Sequence, residues 1–255
     1  MTALRPPILP CATAMASVVP VLPRVSLSPD GRNLLVAEQY RFRRIEDLAS
    51  RVQALAGIRL NPVNNGPALP QYYFRMELRE VANGARHLLR LPAGSRRFSL
   101  PVWSPDGKHF AFLQYDRTSV ILHVGEAENR QIKSFPQVRL NAAAGRTFQW
   151  LPNSKGLICQ SIPKQRGNPP MPPRAPVGPV VQETGPREAP VLTYPDLLQN
   201  DHDEKLFNLV QNISELENVN IKKNITENDL KLFSYKIFSM SLPFLFYKSK
   251  IKRKP

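Results

Sequence analysis

Trp103-Ser104-Pro105-Asp106-Gly107-Lys108-His109-Phe110-Ala111-Phe112 decides the reading of this chain, because it recurs. An earlier copy runs Leu27-Ser28-Pro29-Asp30-Gly31-Arg32-Asn33-Leu34-Leu35-Val36, and a looser one Trp150-Leu151-Pro152-Asn153-Ser154-Lys155-Gly156-Leu157-Ile158-Cys159. Each places an apolar residue before a tight turn and a short apolar strand after it. The turn has a mechanism: proline presets φ, aspartate bonds its own backbone, and glycine takes the position with φ above zero. A four-stranded propeller blade occupies roughly 40–50 residues. Trp103 and Trp150 are one such length apart, whereas Ser28 and Ser104 are nearer two, with a longer excursion between them. One Ser-Pro-Asp-Gly is an ordinary turn. Three copies with matching downstream strands predict a propeller-type repeat.

One blade can be traced outward from the cassette. Residues 109–115 alternate and are rich in aromatic and apolar side chains, Asp116-Arg117-Thr118 breaks the run, and 119–124 reads as a second strand. A polar turn at 126–130 leads to a third strand at 131–135, and Phe148-Gln149-Trp150 opens the next cassette. No helical period intervenes. Upstream, apolar runs at 72–81 and 86–91 flank Asn83-Gly84, a strong short-range hairpin signal. Residues 44–56 read as a helix, with Ile45, Leu48, Ala49, Val52, Leu55 and Ala56 at helical spacing. Short helices are also expected at 195–198 and from Asp201.

Bulk properties narrow the function classes. The net charge of +15 and pI of about 10.2 raise nucleic-acid binding as a reading. The basic residues are dispersed over many segments, and no RNA-binding or zinc-finger signature is present, so no nucleic-acid partner is expected. Cys11 and Cys159 are isolated thiols that support neither a zinc site nor a disulfide scaffold. Residues 1–23 read as an irregular leader without acids, in which Pro10 and Pro20 interrupt the apolar core that a signal peptide needs. No stretch reaches the ~20 apolar residues of a membrane span; the longest candidate, 237–247, contains Pro243. A soluble protein of the cytoplasm or plastid stroma is the expectation.

Residues 163–195 are crowded with proline and read as either an interdomain linker or a long loop between blades. At Phe207 the composition changes: beyond it there is no Ala, no Gly, and Arg253 is the only Arg. Residues with A/T-rich codons replace residues with G/C-rich ones. This predicts that 208–255 is a non-homologous tail, disordered or weakly helical, read from intron or shifted-frame DNA. A genuine alternative helical tail is the competing reading. The sequons at Asn212-Ile213-Ser214 and Asn224-Ile225-Thr226 are of a kind that arises by chance.

Several stretches resemble the glutamyl endopeptidase-like serine peptidases of the prolyl oligopeptidase family. They are Glu46-Asp47-Leu48-Ala49 with Leu55-Ala56-Gly57-Ile58-Arg59-Leu60-Asn61-Pro62, the cassettes at Trp103 and Trp150, and Pro172-Pro173-Arg174-Ala175-Pro176-Val177-Gly178-Pro179-Val180-Val181-Gln182-Glu183. Thr193-Tyr194-Pro195-Asp196-Leu197-Leu198-Gln199-Asn200 and His202-Asp203-Glu204-Lys205-Leu206-Phe207 complete the set. The resemblance covers about residues 24–207 and makes the Pro-rich stretch an inter-blade loop.

The resemblance implies an N-terminal propeller that gates access of peptides to an α/β-hydrolase domain carrying Ser, Asp and His, the Ser on a Gly-x-Ser-x-Gly elbow. This sequence contains no such elbow, and its last glycine is Gly185. His87, His109, His123 and His202 are its only histidines, each expected in a strand or loop, and Asp30 and Asp106 read as turn residues. No catalytic, cofactor-binding or metal-binding residue is therefore assigned, and no cofactor is expected. The expected architecture is mainly β: an incomplete β-propeller of about two to four blades at 24–207, one short helix near 44–56, and an irregular or weakly helical tail at 208–255. The expected function is that of the propeller fragment of a serine-type peptidase acting on peptides after Glu, inactive by itself and prone to self-association through open strand edges. A non-enzymatic interaction module is the alternative.

Overall fold

The computed structural model of the chain describes residues 21–143, 145–163, 166–171, 198, 200–211 and 215–220. The first cassette generates β1 (Arg24–Leu27) and β2 (Asn33–Gln39) about its turn. An insertion follows, with α1 (Ile45–Leu48) and a small sheet of β3 (Gln53–Leu55), β4 (Ile58–Asn61) and β5 (Gly66–Pro67). The chain then returns as β6 (Tyr73–Glu80) and β7 (Arg86–Leu88), completing an antiparallel sheet of order β1-β2-β6-β7. The 76-residue spacing is thus one blade carrying an insertion at 40–72, not nearly two blades.

The second blade is the uninterrupted repeat: β8 (Val102–Trp103), β9 (His109–Tyr115), β10 (Val120–Glu126) and β11 (Ile132–Phe135), each paired with the next. The third has β12 (Phe148–Trp150) and β13 (Gly156–Ser161) from the looser cassette. Its third strand arrives only after α2 (Asp201–Gln211), as β14 (Glu215–Asn220), paired with β13 from Gly156↔Asn220 to Ser161↔Glu215. β14 lies in the segment expected to be irregular or weakly helical, and the buried Val219 explains the difference by joining the core. The fold is mainly strand, an open run of blades with no closed ring among the described residues.

Side-chain parity along β9 shows how blades stack. Period-two alternation sends successive side chains to opposite faces. Phe110 and Phe112 enter a core shared with Leu35, Ala37, Met76 and Leu78 of the first blade. Ala111, Leu113 and Tyr115 enter a second core with Trp150, Leu157, Cys159 and Val219 of the third. Both faces of the middle blade are buried, so β9 reads as a continuous apolar run.

A repeated clamp fixes neighbouring blades. The Trp103 indole Nε1–H donates to Ser26 O at 3.2 Å, and Trp150 does the same to Val102 O at 3.0 Å. The cassette turns stack on one another as well: the Asp106 amide donates to the Ser154 hydroxyl at 3.1 Å, and Gly107 lies against Asp30. Gly31 and Gly107 hold φ near +70° at equivalent turn positions, where Ser154 stands in the looser copy. In the two Pro-Asp-Gly turns the carboxylate accepts a hydroxyl, Ser28 to Asp30 at 2.6 Å and Ser104 to Asp106 at 2.7 Å. Both aspartates are turn anchors.

The helix expected over 44–56 is confined to Ile45–Leu48. Its apolar side chains have nothing to pack on: Ile45 is 84 % exposed and Leu48 58 %. Ala56 and Gly57, both at positive φ, instead form the two-residue turn between β3 and β4. Leu55 and Leu60 are buried with Ala143, Leu206 and Val210. The helix expected from Asp201 is present as α2; the Pro-rich run at 172–195, the short helix expected at 195–198 and the leader to residue 20 lie outside the described residues, apart from Leu198.

Candidate functional site

Strand direction divides the molecule into two ends. The short turns 28–33, 80–86, 104–109, 126–131 and 151–156 share one end. The connections 40–72, 89–101, 116–119, 136–147 and the long excursion after β13 share the other. At this loop end the insertion of the first blade reaches across to the second blade and the connection that follows it: Asn64 Nδ2 donates to Asp116 O at 2.8 Å and the Ala142 amide to Asn65 O at 2.8 Å, while Asn141 Nδ2 of that connection donates to Val210 O of α2 at 2.7 Å.

α1 is tied down by charge. Asp47, 4 % exposed, meets Arg97 Nε at 2.6 Å, with Glu46 3.7 Å from the same guanidinium. The Nε–H is not aligned on the oxygen, so the contact is ionic rather than a well-formed hydrogen bond. Arg97 also lies 5.9 Å from the centre of the Tyr72 ring. Arg43 donates to the Leu69 and Pro70 carbonyls. Asp47, Tyr72, Arg43 and Pro70 are among the residues that line a small pocket of about 120 Å³.

The four histidines are not brought together. His87 contacts Glu80 at 3.0 Å in a hairpin, and the His109 ring lies 6.4 Å from that of Trp150. His202 lies in α2, not in a strand or loop, with Nε2 3.3 Å from Pro170 O. His123 has the geometry closest to a catalytic pair, since Nδ1 is 2.9 Å from the Ser134 hydroxyl. Its other nitrogen, however, meets Gln114 Oε1 at 3.0 Å rather than a carboxylate. Gln114 spends its amide protons on Ala93 O and Ser95 O, so Oε1 accepts from His123 Nε2–H and Nδ1 is left to accept from Ser134. Nδ1 thus faces the hydroxyl as an acceptor, as in a triad, but a triad base also needs an acid orienting it and a pKa near working pH. Burial lowers the His123 pKa to about 4. It is a core side chain, stacked 5.2 Å from Phe112. Among the described residues no group of three or more His, Cys, Asp or Glu is gathered as a metal site, and no helix is long and apolar enough to cross a membrane.

The lowered pKa has a defined pH signature. The unfolded chain binds a proton at His123 near pH 6.5 and the folded chain only near pH 4, so stability falls as pH drops through this window. By pH 5 the loss is expected to be about 2 kcal/mol. Asp30, held low by the Ser28 hydroxyl and the Arg32 amide, does not contribute until lower pH. Urea midpoints measured at pH 7 and pH 5 test this; equal midpoints would remove the assignment.

The chain is similar to proteins of known name over most of its length. A rice (Oryza sativa subsp. japonica) protein named probable glutamyl endopeptidase, chloroplastic, is 30% identical over 203 residues, 74% of this chain. The Arabidopsis thaliana protein of the same name is 27% identical over 202 residues, again 74% of this chain. The match spans about one fifth, 21%, of each of these relatives. Among solved structures, the β-propeller domain of the Trilobed protease from Pyrococcus furiosus aligns at a TM-score of 0.32 and 14% identity, over 56% of this chain and 36% of that one. Pyrococcus horikoshii acylaminoacyl peptidase aligns at 0.30 and 15%, over 57% and 17%. No family model matches the chain.

Proposed function

We infer that this chain, a peptidase-related propeller segment homologous to proteins named glutamyl endopeptidase, is the propeller part of a serine-type peptidase of the prolyl oligopeptidase family. The observation that carries the reading is the 30% identity over 203 residues to the rice relative. In the whole enzyme the propeller admits peptides, excludes folded proteins, and serves hydrolysis after Glu by acyl transfer through a serine. The polypeptide of this sequence does not catalyse that step by itself, because it offers no Gly-x-Ser-x-Gly and its His123, in contact with Ser134, is oriented by an amide rather than a carboxylate, with its pKa lowered by burial to about 4. The compartment consistent with the relatives' names is the chloroplast.

The expected result is that the 255-residue chain neither turns over a fluorogenic Glu-containing peptide nor labels with a fluorophosphonate. Labelling of any serine would overturn the inactivity. The parent role is tested by reading DNA and transcript beyond the codon for Phe207 in all frames: a frame that resumes the strands and reaches Gly-x-Ser-x-Gly supports it. A transcript without one moves the non-enzymatic module ahead.

Self-association belongs to the same reading. β14 is the outermost described strand of the third sheet, where the first two sheets have a fourth, β7 or β11. Among the described residues no strand pairs with its outer edge, and an open edge offers backbone groups to another chain. Sedimentation velocity between micromolar and hundred-micromolar protein is expected to show mass-dependent association; a concentration-independent monomer would argue against it.

A further inference from the structure

The arginines that are scattered along the sequence are gathered by the topology. The five turns at one end of the propeller carry five acids, Asp30, Glu80, Asp106, Glu126 and Glu128, and five bases, so they balance. The connections 40–72, 89–101, 116–119 and 136–147 at the loop end carry eleven arginines, no lysine, and only Glu46, Asp47 and Asp116 as acids. Glu46 and Asp47 are already engaged by Arg44 and Arg97. Arg51, Arg90, Arg96, Arg117 and Arg146 are exposed, with no carboxylate in ion-pair range among the described residues. Arg166 sits at the same end, its pKa lowered first by burial and then by the like charge of Arg139. An excess of one sign of charge on one face produces a field that steers oppositely charged partners.

Apolar groups are exposed at this end too. Phe42 is 70 % exposed, and beside it Ile45, Leu48 and Val52 stand out from the insertion between Arg41, Arg43, Arg44 and Arg51. Arginine and exposed aliphatic groups together match a protein surface, since aliphatic side chains gain nothing from a phosphate backbone. The chain itself supplies a precedent. α2 carries Asp201, Asp203 and Glu204 in its first turn and docks at this end through Leu206 and Val210 onto Leu55, Leu60 and Ala143.

We propose that the loop end of the propeller is a docking surface for an acidic polypeptide segment that also carries apolar side chains. It goes beyond the peptidase reading and does not depend on it, because the binding requires no hydrolysis. The partner's carboxylates meet the exposed arginines, and its apolar groups cover Phe42, Ile45 and Leu48.

The test is fluorescence anisotropy with the full 255-residue chain and three labelled probes: a twelve-residue peptide of Glu, Asp and Leu, its Gln/Asn/Leu counterpart, and a twelve-nucleotide oligouridylate. The acidic peptide is expected to bind at least about tenfold more tightly than the neutral one, and to weaken about tenfold or more between 50 and 500 mM NaCl. Charge reversal at the loop end (Arg51→Glu, Arg96→Glu, Arg117→Glu, Arg146→Glu) is expected to abolish the preference. The same number of reversals at the turn end (Arg32→Glu, Arg86→Glu, Lys108→Glu, Lys155→Glu) should change affinity less than about twofold. Equal losses from both sets would mean that net charge alone binds, and would overturn the proposal. So would equal binding of the neutral peptide, or tighter binding of oligouridylate. If the loop-end set fails to fold by circular dichroism, the peptide and salt comparison on the unaltered chain decides. Absence of hydrolysis in these assays bears on neither outcome.

Discussion

Valine at Gly125 is expected to unfold the middle blade. A β-carbon there would lie 2.2 Å from Cζ and 2.4 Å from Cε2 of Phe110, the residue paired with it across β9 and β10. The ring has no room to retreat: Phe110 is fully buried, with Trp103 at 5.6 Å and Phe112 at 6.3 Å between ring centres. Overpacking of this kind costs about 3 kcal/mol or more, a large fraction of what a domain has in reserve. The urea midpoint of Gly125→Ala should already fall steeply, and Gly125→Val should leave no cooperative transition. Combining Gly125→Ala with Phe110→Leu should recover part of the loss, because the two share one volume. A Gly125→Ala variant as stable as the parent would show that the ring does not lie over the glycine.

Removing Arg97 should have an effect of similar size. Arg97→Met leaves the Asp47 carboxylate buried without its cation, and breaking a buried pair from one side costs about 3 kcal/mol or more. The loss should be local at first. α1 and the small sheet of the insertion should loosen, and near-ultraviolet circular dichroism from Tyr72 should change before the blade core melts. Arg97→Lys keeps the charge but loses the reach to both Asp47 and Glu46, and should fall between the two. The double change Arg97→Met with Asp47→Asn should be more stable than Arg97→Met alone. If it is not, the pair is not coupled.

Much of the blade pattern was legible because the cassette carries its own chemistry. Ser28 and Ser104 bond Asp30 and Asp106, and Gly31 and Gly107 take left-handed backbone; both devices are local and visible in ten residues. β9 and the Asn83-Gly84 hairpin were legible for the same reason. The insertion was not. Ile45, Leu48 and Val52 keep helical spacing yet remain exposed, so periodicity there reports no buried face. β14 was hidden because its partner strand lies across the Pro-rich stretch and a change of composition, while strand pairing depends on backbone groups that every residue supplies. The positive end was invisible for a different reason: its arginines come from four connections, and only the direction of each strand assigns a connection to one end or the other.

The two four-stranded blades and the third differ in when they can form. β9 and β10 are joined by four residues, 116–119, whereas β13 must wait for β14 across the connection 162–214. Closing a loop of about fifty residues rather than four costs about 2 kcal/mol more in chain entropy. On a ribosome the middle blade can therefore zip as soon as it emerges. The third remains a two-stranded ribbon, with the inner core of Trp150 and Leu157 only half covered, until the chain has been synthesised past Asn220.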